Sequence, residues 1–149
     1  MANSRKLLIG WIALLLSLSF LSGCGEVQEQ PSDINRLKIL GLYPQDGEVG
    51  VPQTMSVIVV FNDSVNFASG AANVNGSTFY LEEDGGGTVS GFSVEQSDLD
   101  TQEATALITL PDPSPLQSGN TYYVVVEDSI KGQNTDTLGT QVRNEFTVQ

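Results

Sequence analysis

Short runs rich in β-branched and aromatic residues, each cut off by glycine, proline, asparagine or aspartate, constrain this chain more than any other feature. They occur at about 37–43, 54–61, 77–83, 88–95, 103–110, 120–127 and 142–148. No long stretch carries a 3.6-residue apolar period, although Asp63 to Ala72 has room for one helical turn. About seven short strands with regular turn signals predict an all-β sandwich.

Side chains alternate across a strand, so Met55, Val57, Val59 and Phe61 share one face of 54–61. Ile58 and Val60 make the other face apolar too, which predicts a central strand with some cover on both sides. In 120–127, Tyr122, Val124 and Val126 lie opposite Tyr123, Val125 and Glu127. Asp84-Gly85-Gly86-Gly87 predicts the turn of a hairpin joining 77–83 to 88–95. Pro111, Pro113 and Pro115 crowd the end of 103–110, and the pattern leaves open whether Leu107 or Ile108 faces inward.

The N-terminus reads as an address. Arg5 and Lys6 precede an apolar run from Leu7 to Leu21, shorter than the roughly 20 residues that cross a bilayer as a helix. Small residues follow, which is the layout of a cleaved secretory signal. Leu21-Ser22-Gly23-Cys24 resembles the lipobox of bacterial lipoproteins. That resemblance implies cleavage between Gly23 and Cys24, with a diacylglycerol and further acyl chains, such as palmitate, on Cys24. Two or three chains anchor stably, at about 0.8 kcal/mol per buried methylene. Gly25, where an inner-membrane lipoprotein tends to carry aspartate, implies an outer-membrane address in a Gram-negative envelope. Residues 24–36 then read as the lipidated N-terminus and a flexible acidic linker, and 37–149 as one domain.

Three motifs in order resemble a bacterial immunoglobulin-like domain of the kind found in S-layer and other surface proteins. Tyr43-Pro44-Gln45-Asp46-Gly47-Glu48-Val49-Gly50-Val51-Pro52 is similar to its Pro-x-Asp-Gly-x-x-Gly-Val-Pro opening. Val57 to Phe61, followed by Asn62-Asp63-Ser64-Val65, resembles its next strand, and Leu116-Gln117-Ser118-Gly119-Asn120-Thr121-Tyr122 its approach to the penultimate one. The resemblance implies structural roles for Pro44, Asp46, Gly47, Gly50, Pro52, Phe61 and Tyr122, the last as a corner tyrosine whose hydroxyl ties back to the backbone. Pro44 and Pro52 bracket a turn in which Gly47 and Gly50 take unusual backbone angles. Ser129 to Gly139 departs from the family, being longer and lacking its Gly-Asn pair.

Charge narrows the function. Against 18 Asp and Glu stand 6 Lys and Arg, a formal charge of -12, and both bases of the leader are lost on cleavage. Nucleic acid demands the opposite balance. The chain has no histidine and one cysteine, which removes Ser-His-Asp and Cys-His catalysis and the usual zinc sites. Asp98, Asp100 and Glu103 could offer oxygen ligands to calcium, in a spacing unlike the EF-hand loop; an ordinary solvated loop is the alternative. No pair of carboxylates stands out as a glycosidase pair. Glu82, Glu83 and Asp84 read as edge charges that discourage strand aggregation. Tyr80, Phe92 and Tyr123 are either packing residues or a platform for a partner or sugar. Asn62-Asp63-Ser64 and Asn75-Gly76-Ser77 fit the glycosylation sequon, which carries no weight in a bacterial lipoprotein. The expectation is a lipid-anchored envelope protein whose non-catalytic domain scaffolds, adheres or binds protein or glycan, with calcium-stabilised adhesion as the first alternative, a small carboxylate-dependent enzyme as the second, and no other cofactor.

Overall fold

A computed structural model describes residues 35–98 and 104–149. Eight strands follow one another: β1 (Ile39–Tyr43), β2 (Glu48–Val51), β3 (Val57–Phe61), β4 (Phe79–Glu83), β5 (Ser93–Gln96), β6 (Thr105–Thr109), β7 (Thr121–Val126) and β8 (Val142–Val148). They make two sheets of four, in the orders β1-β3-β6-β5 and β2-β8-β7-β4. Only β2 and β8 are parallel neighbours; the other described strand pairs are antiparallel. This is the expected all-β sandwich, with one strand more.

Alternation builds the core. Val57, Val59 and Phe61 of β3 and Ala106 and Ile108 of β6 face Phe79 and Leu81 of β4, Tyr122, Val124 and Val126 of β7, and Phe146 and Val148 of β8. All are buried, and each large aliphatic or aromatic side chain so removed from water contributes about 1.5–3 kcal/mol. Pairing of Val57 with Ile108 settles the open register: Ile108 faces inward and Leu107 outward. The Tyr122 ring stacks on Phe146, with centroids 5.8 Å apart. Its hydroxyl accepts a hydrogen bond from the Gln117 N–H at 2.8 Å, which ties the loop before β7 to the core.

Between β1 and β2 the chain crosses from one sheet to the other. Pro44 is buried at this corner, and the Tyr43–Pro44 bond is cis. The Glu145 N–H of β8 donates to Asp46 Oδ1 at 2.9 Å, and the Glu145 carbonyl accepts from the Gly47 N–H at 2.8 Å. Gly47 and Gly50 both have φ of 76°, where a side chain would be strained. The bracket closed by the exposed Pro52 therefore holds a strand, β2, and not a turn alone.

Three expectations change. The glycine turn at 84–87 does fold the chain back, with Glu82 bridged to Thr88 and the Val89 N–H bonded to Leu81 O at 2.8 Å. The return does not form a full hairpin, because Gly91 at φ 86° breaks the run and the chain continues as β5 in the other sheet. Asp63 to Ala72 forms no helical turn; the Asp63 carboxylate accepts the Ser64 N–H at 2.9 Å and Val65 bridges Gly132, which commits this backbone elsewhere. At the N-terminal side, Asn35 O already accepts the Asp136 N–H at 2.6 Å and Arg36 bridges Asp136, so the last two residues assigned to the linker are held by the domain.

Candidate functional site

Each sheet has an outer face, and the two differ in chemistry. On the β1-β3-β6-β5 sheet, Tyr43, Ile58, Leu107 and Glu95 stand in one row across all four strands. Val60 lies in the next row, between Gly41 and Thr105. A bulge between Ile39 and Gly41 turns Leu40 outward, where it is 68% exposed; Tyr43 is 36% exposed, and Ile58, Val60 and Leu107 are half-buried. Leu40, Tyr43, Ile58, Val60 and Leu107 thus form an apolar strip. Polar groups rim it, among them Thr109, whose hydroxyl donates to Glu95 at 2.7 Å.

On the opposite sheet the outward side chains include Tyr80 and Glu82 of β4, Thr121, Tyr123 and Val125 of β7, Arg143, Glu145 and Thr147 of β8, and Val49 of the edge strand β2, which is 76% exposed. Those of β4, β7 and β8 close on one another. The Arg143 guanidinium lies 3.9 Å from the Tyr123 ring centroid and pairs with Glu82 at 2.9 Å. The Tyr123 hydroxyl faces Asp84 and Glu145, each at 3.2 Å. Tyr80 donates to Glu127 at 2.7 Å, and Gln141 reaches the same carboxylate at 3.0 Å. Val125, between Tyr80 and Arg143 in register, is buried although it points outward. Burial, the hydrogen bond to Glu127 and the charges of Glu127 and Glu82 push the Tyr80 phenol up to about 12, with Arg143 opposing. Burial and then Asp84 and Glu145 raise Tyr123 as well. Of the edge charges named from sequence, Glu82 and Asp84 belong to this network, and Glu83 accepts from Asn120 at 2.7 Å.

A second polar cluster joins two loops at the end of the sandwich from which β1 starts. Asp63 accepts the Asn134 N–H at 2.7 Å and the Asn134 side-chain amide at 3.1 Å, and the Gln133 N–H donates to Ser64 O at 2.8 Å. Burial alone would raise the Asp63 pKa; the donors from Asn134 and Ser64 outweigh it and hold the carboxyl below its ordinary range. The segment that departs from the family, 129–139, is therefore the partner of 62–72.

Of the residues singled out from sequence, Phe61 and Tyr122 lie in the core, and Pro44, Asp46, Gly47, Gly50 and Pro52 form the β1–β2 corner. Asp98 is exposed just beyond β5, while Asp100, Glu103, Gly23 and Cys24 lie outside the described residues. Among the described residues, no group of three or more His, Cys, Asp or Glu is placed to hold a metal. Phe92 packs against the core, and the near face of Tyr123 is occupied by Arg143. Sequence reasoning identified the apolar faces of β3 but missed the strip, which exists only because β1 and β6 flank that strand.

The model of the bacterial Ig-like domain family matches residues 33–148. Among solved structures, native alpha-2-macroglobulin of E. coli aligns with a TM-score of 0.51 at 16% identity, over 76% of this chain and 6% of that one. A crystal structure of the same Escherichia coli protein spanning domains MG0-NIE-MG1 gives a TM-score of 0.52 at 16% identity, over 76% of this chain and 32% of that one. Surface layer protein SbsC, domains 1-6, aligns with a TM-score of 0.49 at 26% identity, over 75% of this chain and 13% of that one. At 16% identity the macroglobulin matches establish a shared fold and nothing about activity. None of the curated proteins compared with this sequence matches it.

Proposed function

This chain belongs to the bacterial Ig-like domain family, and from that premise we propose that it is a non-catalytic module of the cell envelope, tethered through lipid on Cys24 and docked to a protein partner by the outer face of the β1-β3-β6-β5 sheet. The apolar strip carries this reading. An exposed aliphatic patch with a polar rim is the anatomy of a protein contact, and Leu40 at 68% and Tyr43 at 36% exposure are two of its members. Once the leader bases Arg5 and Lys6 are removed, 18 acids stand against 4 bases, a charge that sets two copies of the chain against each other and favours a different protein as the occupant. The opposite face is a poor platform for a sugar, since Arg143 already covers the Tyr123 ring.

The tether rests on Leu21-Ser22-Gly23-Cys24 and the apolar run before it, and Gly25 favours the outer membrane. The absence of histidine supports a non-catalytic role, because the remaining carboxylates show no privileged pair.

Two substitutions separate anchor from contact. Cys24→Ala should leave an unprocessed, unlipidated chain; acylation or cleavage before residue 24 that survives it would contradict the anchor. Leu40→Asp should leave the chain lipidated and folded but strip its protein partner on purification in mild detergent. Retention of the same partner by this variant would contradict the contact face.

A further inference from the structure

Asn75-Gly76 is the one Asn-Gly pair in the sequence, and the proposed docking face makes no use of it. In such a pair the glycine amide nitrogen can reach the asparagine side chain with no Cβ in the way. We propose that Asn75 is a deamidation site gated by folding, closed in the native domain and opened when the loop of residues 66–78 comes apart.

The chemistry needs only the chain and water. The Gly76 backbone nitrogen attacks Asn75 Cγ, a new C–N bond forms, and the side-chain nitrogen leaves as ammonia, taking up the proton that the Gly76 nitrogen gives up. Water then opens the five-membered imide at either carbonyl, leaving aspartate or isoaspartate at this position. No oxidant or cofactor takes part.

Native geometry opposes ring closure. Asn75 Nδ2 donates to three backbone carbonyls, Ala68 at 3.0 Å, Gly70 at 2.9 Å and Asn73 at 3.2 Å. Its Oδ1 accepts the Ser77 N–H at 2.9 Å, the arrangement of a capped turn. The Asn75 carbonyl accepts from the Thr78 and Phe79 N–H groups at 3.0 and 2.9 Å, which fixes the backbone on the other side of Gly76. Swinging Cγ onto the Gly76 nitrogen requires Oδ1 to leave Ser77 and Nδ2 to leave all three carbonyls together.

The product cannot return to this arrangement. A carboxylate has acceptors only, so the deamidated side chain would set oxygen against three carbonyl oxygens where two N–H bonds had been shared. The same loop supports its neighbour through Lys131 N–H to Ala72 O at 2.9 Å and the Ser129 hydroxyl to Ala71 O at 2.5 Å. One unfolding episode, if long enough, thus records itself as a permanently loosened loop.

The test holds the full chain at mildly alkaline pH in native buffer and in guanidinium, and follows conversion of Asn75 by peptide mass and isoaspartate detection. Conversion should be at least about tenfold slower in the native chain, since several hydrogen bonds must break together. Equal rates in the two conditions would overturn the gate. Asn75→Asp reports on the product: hydrogen exchange should quicken at the Val74, Thr78 and Phe79 amides while β3 stays protected. Unchanged exchange at those three amides would overturn the proposed loosening. If that variant does not fold, the comparison of native with denatured chain still decides the gate.

Discussion

Across β4, β7 and β8 the outward side chains close on one another: Arg143 lies over Tyr123 and pairs with Glu82, and Tyr80 donates to Glu127. Across β1, β3 and β6 the outward apolar side chains are Leu40, Tyr43, Ile58, Val60 and Leu107, with a polar rim around them. Both faces sit on the same core and have the same strand spacing. What separates them is whether the outward residues can satisfy one another, and a face that cannot is the one with free energy to gain from a partner.

The comparison can be broken most directly at β3, where inward and outward side chains alternate. Phe61→Ala empties the core and should cost about 3–5 kcal/mol by guanidinium denaturation. Ile58→Ala removes an outward side chain and should cost less than half as much. Equal losses would mean that the outer strip is already covered within the monomer.

Polar closure has its own signature in pH. Asp63 titrates below its ordinary value in the folded chain, so the folded state holds fewer protons than the unfolded state through the acid range. Its stabilisation is present above the ordinary aspartate value and is lost as pH falls through the lower folded one. Asp63→Asn should therefore cost on the order of 0.5–1 kcal/mol at neutral pH, since solvent screens a carboxylate this near the surface, and progressively less in acid. Tyr80 runs the other way. Its folded pKa of about 12 lies above the ordinary 10, so its contribution is intact below pH 10 and is lost as pH rises toward 12. Tyr80→Phe should cost about 1 kcal/mol at neutral pH and should flatten the alkaline limb of a stability–pH curve.

The smallest effects fall at exposed positions. Arg143→Ala should cost about 0.5–1 kcal/mol through the lost cation–π contact and ion pair, with part of the loss masked by high salt. Leu40→Ser should change stability by no more than about 0.5 kcal/mol. A larger loss there would place Leu40 in the fold and not in a contact.

The inner layer was legible because alternation in Val57-Ile58-Val59-Val60-Phe61 is local, and so were the corner glycines, whose angles any neighbour would demand. β2 was not, since Glu48-Val49-Gly50-Val51 looks like turn sequence until Phe146 and Val148 of β8 offer it a ladder. The fate of 88–95 turned on Gly91, which a pattern of β-rich residues does not weigh. Asp63 and Asn134 meet across 71 positions of sequence, beyond any window of periodicity. The docking strip belongs to the same class: its row from Tyr43 through Ile58 to Leu107 draws on three strands, and only sheet order brings them together.

Photocrosslinking in intact cells tests the central claim most directly. A photoreactive residue at Val60 or Leu107 should capture one discrete envelope protein, and the same group at Glu145 or Thr147, on the opposite face, should capture none. Capture of that protein from Glu145 or Thr147 but not from Val60 or Leu107 would contradict the account.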